Sequence, residues 1–161
     1  MFKKIFIILF LFYLSALVNT YSQVPEMNKQ IIEYVNKVIG KKVDKGECWD
    51  LANEVLIKVK ADWDGKFTFG KLLNPKKDSI YPGDIIQYKD VVIKYSIGNR
   101  QYTENMKQHT SIVYKVIAQG IYEVAEQNTA YAGKKVSIGK LNLNYIVKGK
   151  VMIYRPVPYE K

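Results

Sequence analysis

The chain has 161 residues, 48% of them hydrophobic, and a formal charge of +10: enough for one domain with its own core, too few for two comfortable ones. One cysteine and one histidine exclude an internal disulfide and a structural zinc site, and no cofactor is expected. The basic residues fall in short pairs such as Lys41-Lys42, Lys76-Lys77 and Lys134-Lys135 beside Gly or Pro, a pattern of solvated turns, so no nucleic-acid partner is expected.

The chain opens with a basic pair, Lys3-Lys4, and an apolar run from Ile5 to Val18. Thr20 and Ser22 then place small residues at −3 and −1 of a cut after Ser22. This is the anatomy of a secretory signal peptide, and the run is short for a membrane span. Residues 1–22 are therefore expected to be removed, leaving a single domain over residues 23–161. The cut lowers the net charge to +8, with no stable membrane insertion afterwards. A periplasmic or secreted monomer is the expectation.

Pro25 suits the first turn of a helix, and Met27, Ile31, Ile32, Val35, Val38 and Ile39 recur at helical spacing before the stop at Gly40. A second helix is predicted from about Asp44 to Lys60. Asp44 and Glu47 form a capping box there, and Cys48, Leu51, Ala52, Val55 and Val59 form the apolar stripe. Residues 61–78 read as an irregular loop. "YPGD" (Tyr81 to Asp84) is a turn signal, after which the chain changes to β character. Ile85 to Tyr88 and Val91 to Tyr95 are short strands joined near Lys89-Asp90. "HTSIVYKVI" and "IYEVAEQN" form a hairpin around Ala118-Gln119-Gly120. Tyr145 to Val147 and Val151 to Tyr154 flank a turn at Lys148-Gly149-Lys150. Helices followed by antiparallel strands define an α+β domain.

Cys48 lies in "GECW" at the start of the second helix, where the helix dipole favours a thiolate. His109 is the only imidazole available as its base. Glu126 and Asn128 stand two apart on the strand expected beside His109. Side chains at that spacing share a sheet face, so either can orient the ring. A buried core cysteine and a satisfied structural histidine account for the same residues without catalysis.

"GECW", "PGDIIQY", "HTSIV" and "EVAEQN" occur in that order, and a final strand ends in "YRP". Together, over about Gly46 to Pro156, they resemble the CHAP family, the papain-like and NlpC-type cysteine amidohydrolases and peptidases. The resemblance is greatest to the CHAP-like cysteine-protease-fold domain of some fungal actin-patch proteins. It implies a papain-like α+β fold with N-terminal helices on an antiparallel sheet. It also implies Cys48 as nucleophile, His109 as general base, and Glu126 or Asn128 as the orienting residue. "KKVDKGE" before Cys48 holds no glutamine, which leaves the Cys48 backbone N–H as the oxyanion donor. The expected activity is an exported cysteine amidase or endopeptidase acting on peptidoglycan peptides. Two alternatives stay open: an inactive papain-like binding module, and a secreted effector protease acting on proteins.

Overall fold

The structure is a computed structural model that describes residues 24–159. The expected signal peptide lies outside the described residues, among which no helix is long and apolar enough to cross a membrane. Helix α1 spans Glu26–Val38 and α2 spans Asp50–Lys58. Eight strands follow: β1 Ala61–Asp62, β2 Lys71–Leu73, β3 Ile85–Ile97, β4 Arg100–Ala118, β5 Ile121–Glu126, β6 Ser137–Asn142, β7 Ile146–Arg155 and β8 Val157–Pro158. The main sheet has the order β2-β7-β3-β4-β5-β6, and every neighbouring pair is antiparallel. Strands β1 and β8 form a separate two-stranded pair.

Strand alternation divides the apolar residues between two cores. Ile85, Ile112, Ala125 and Tyr154 meet Ile31 and Val35 of α1 and Leu51, Val55 and Leu56 of α2. Ile86, Tyr88, Val113, Tyr122, Val124, Leu141 and Ile153 build a second cluster. That cluster also takes Val91 and Ile93, so the inward residues of β3 change from even to odd between Tyr88 and Val91. The cause sits between them: Asp90 has a φ of 52°, a left-handed conformation that breaks the alternation.

The same irregularity corrects two expectations. Lys89-Asp90 does not separate two strands, because β3 runs through it. Lys148-Gly149-Lys150 is likewise not a turn, because β7 is continuous, with register shifts against β3 at this level. Gly149 has a φ of 90°, and a Cβ there would collide with the Asp90 backbone, so the two irregularities nest. The hairpin at Ala118-Gln119-Gly120 forms as expected, but β4 begins far earlier, at Arg100. Strand β6, unassigned from the sequence, and short strands β1 and β2 within the expected loop are further differences.

The "PGD" and "YRP" motifs converge on one buried ion pair. Asp84 is fully buried and receives Arg155 Nε at 3.0 Å and Nη2 at 2.8 Å. The Tyr81 N–H donates to Asp84 Oδ2 at 2.8 Å, and Asn28 Nδ2 donates to Oδ1 at 2.8 Å and to the Pro82 carbonyl at 2.9 Å. Charge-assisted bonds of this kind are strong, and this one ties α1 to the starts of β3 and the end of β7.

Candidate active site

Cys48 does not lie within the second helix, which begins six residues later than the expected Asp44. Asp44 has a φ of 45° and Gly46 a φ of 85°, so neither is helical and Asp44 caps nothing. Instead the buried carboxylate of Asp50, the first residue of α2, accepts the Glu47 N–H at 2.8 Å and closes the turn that carries Cys48. Cys48 therefore occupies the turn that leads into α2, partly exposed at the positive end of the helix.

Gln127 holds this turn in place. It is completely buried, accepts the Val43 N–H at 2.8 Å, and donates to the Val43 carbonyl at 3.2 Å and the Glu47 carbonyl at 2.9 Å. Sequence reasoning assigned it no role. The signal was available: Gln127 follows Ala125 by two positions, so it shares the apolar face, where an amide must find partners.

His109 is nine-tenths buried on β4, and Glu126 closes β5. Ser111 is the direct partner of Glu126, which makes His109 its diagonal neighbour. His109 Nε2 and Glu126 Oε2 lie 2.7 Å apart. The Cys48 side chain also acts on the ring and favours its protonated form. Burial works against the imidazolium. Hydrogen bonding to Cys48 and Glu126, and the negative charge of both, outweigh it and raise the His109 pKa from 6.5 to about 9. Tyr88 faces His109 across the β3–β4 ladder with ring centres 5.6 Å apart, and its hydroxyl bonds Ser111 Oγ at 2.9 Å. Burial raises the Tyr88 pKa far enough to keep that hydroxyl neutral.

The two orienting candidates separate. Glu126 takes the imidazole, whereas Asn128 does not. Strand β5 ends at Glu126, and Asn128 has a φ of 63°, so the two-residue alternation fails. The Asn128 amide instead donates to Glu47 Oε2 at 3.0 Å, beside Lys134 Nζ on Oε1 at 3.0 Å. The second oxygen of Glu126 accepts the Tyr131 hydroxyl at 2.9 Å. Gly139 on β6 makes room for both groups: a Cβ there would overlap Glu126 Oε1 and stand 2.7 Å from the Tyr131 oxygen.

A cleft of about 1200 Å³ opens beside this pair. Residues 103–109 of β4, residues 128–131, residues 139–142 of β6 and the aromatic rings of Tyr95 and Tyr145 line it.

Two helices packed on a mostly antiparallel sheet, with a cysteine before a helix and a histidine on a strand, define a papain-like cysteine-proteinase fold. The chain belongs to the AIM3/BBC1 cysteine proteinase-fold domain family, which matches it over residues 17–161. This agrees with the resemblance read from the motifs. A curated relative is Altered inheritance of mitochondria protein 3 of Debaryomyces hansenii, 29% identical over 138 residues. The match covers 74% of this chain and 15% of that protein, so the chain spans a small part of the relative's length. Among solved structures, the crystal structure of Ly7917 matches with a TM-score of 0.48 and 15% identity, over 79% of this chain and 62% of the other. Ly7917 with the hydrolyzing product of MDP matches with a TM-score of 0.47 and 17% identity, over 80% and 62%.

Proposed function

We propose that this domain is an exported cysteine amidase or endopeptidase. The observation that carries the reading is the His109 ring, whose Nε2 lies 2.7 Å from Glu126 Oε2 and whose protonated form is favoured by Cys48 and Glu126 together. In this mechanism Cys48 Sγ, as thiolate, attacks an amide carbonyl carbon. His109 gives its proton to the departing amine. A water molecule, deprotonated by His109, then cleaves the thioester and releases the acid. Glu126 fixes the ring orientation and offsets the imidazolium charge. Gln127 and Asn128 donate to Val43 O, Glu47 O and Glu47 Oε2, so the oxyanion falls to backbone N–H groups at the start of α2.

Export through residues 1–22 and a charge of +8 bring the domain to anionic envelope polymers, which makes peptidoglycan peptides the first substrate to assay. Wild type and Cys48→Ala are compared on peptidoglycan, its stem peptides and an unfolded protein. Cleavage by wild type alone supports the reading. If nothing is cut, and iodoacetamide labels Cys48 no faster than a model thiol, the domain is an inactive binding module. Mass analysis of exported protein should give an N-terminus near Gln23; an intact Met1 segment in a membrane fraction refutes cleavage.

A further inference from the structure

The cleft has an unusual boundary. Strand β4, which runs from Arg100 to Ala118, pairs with β3 from Arg100 to Ile112. On its other side it pairs with β5 only from Ser111 to Ala118. Past Glu126 the chain leaves the sheet through the left-handed Asn128, and among the described residues no strand takes its place beside β4. The stretch Thr103–His109 therefore presents a free edge, and half of its N–H and C=O groups point into the space β5 vacates. All seven of these residues line the cleft without a gap. The cleft also touches Tyr88, Ile93, Tyr95, Ser96 and Ile97 of β3, so it spreads over one face of the sheet as well as along this edge. His109 ends this free edge, and the floor continues through Val124 and Glu126.

We infer that this slot binds the substrate as a linear polypeptide in extended conformation, added to the sheet as a strand beside Thr103–His109. The inference rests on the amidase reading and names the form its substrate takes. Seven residues at about 3.4 Å each give a track of roughly 20 Å, room for six or seven substrate residues on one side of the scissile bond. Backbone pairing supplies the register, and the track ends at His109, the member of the proposed Cys48–His109 pair that lines the cleft. Side-chain selection falls to the apolar floor of Val124 and Leu141 and to the rings of Tyr95 and Tyr145. A carbohydrate has no amide ladder to match such an edge, which favours polypeptide over glycan.

The test uses the full domain as Cys48→Ala, with unfolded casein as one probe and a soluble muropeptide as the other. Amide hydrogen exchange is followed at residues 103–109. Casein should slow alternate amides in this run at least tenfold. In a seven-residue peptide taken from the casein, N-methylation of alternate amides should abolish protection while the intervening ones tolerate it. Unchanged exchange at saturating casein overturns the slot. So does protection by muropeptide alone, or protection without any probe that grows with protein concentration, which marks a second copy. Turnover of casein by wild type is measured separately. Protection without turnover refutes the amidase reading and leaves the slot standing; turnover without protection does the reverse.

Discussion

Removing the Gln127 side chain should damage both the fold and the reactivity of Cys48. Gln127→Ala takes away an acceptor from the Val43 N–H and donors from the Val43 and Glu47 carbonyls. A buried backbone group left without a partner costs about 1–3 kcal/mol, and the Glu47 carbonyl, near the surface, falls at the low end. The expected loss is about 3–5 kcal/mol, a large share of the stability of a small domain. Thermal unfolding should fall by about 10 °C or more. Iodoacetamide labelling of Cys48 at pH 7 should slow about tenfold, because the turn no longer holds the sulfur against His109. Gln127→Glu separates shape from hydrogen bonding. It keeps the acceptor but sets a carboxylate against two carbonyl oxygens, which raises its pKa in the folded state. Its stability should therefore improve as pH falls through that raised pKa, whereas Gln127→Ala shows no such recovery. A midpoint within 2 °C of wild type for Gln127→Ala, or unchanged labelling, refutes the clamp.

Four further outcomes follow from the geometry. His109 has a folded pKa of about 9 against 6.5 unfolded, so its contribution to stability is full below about pH 6.5 and is lost as pH rises through 9; a denaturation series from pH 6 to 10 checks this. Glu126→Gln should cut turnover about 100-fold and bring the His109 titration, read by NMR, back towards its ordinary range, while Asn128→Ala should cost under tenfold because Asn128 does not touch the ring. Gly139→Ala should displace the Glu126 carboxylate and lower turnover more than stability, measured as kcat against melting temperature. Asp84→Ala strands Arg155 in a partly buried site and should cost about 3–5 kcal/mol by urea denaturation, with Cys48 labelling rates preserved wherever the domain stays folded.

Much of the fold was legible because helix periodicity is carried by one segment at a time. Ile31 and Val35 mark the buried face of α1, and Leu51, Ala52 and Val55 that of α2, whatever else is nearby. The errors fall where a signal belongs to two segments. Lys89-Asp90 and Lys148-Gly149-Lys150 each look like a turn when read alone. In the sheet, Lys89 stands opposite Lys150 and Val92 opposite Lys148, so each irregularity accommodates the other and neither ends its strand. No reading of a single stretch contains that pairing. Asn128 failed for a local reason: the i, i+2 rule holds only while the strand continues, and a left-handed residue ends it. The motifs divide in the same way. "PGD" and "YRP" converge on the Asp84–Arg155 ion pair and report on folding. "EQN" splits three ways: Glu126 on the imidazole, Gln127 on the backbone before Cys48, and Asn128 on Glu47. In the proposed amidase, a resemblance spread over five motifs rests its chemistry on three side chains, Cys48, His109 and Glu126. Gln127 holds the turn before Cys48, whereas Asp84 and Arg155 hold the fold, so the motifs establish the family before they establish the reaction.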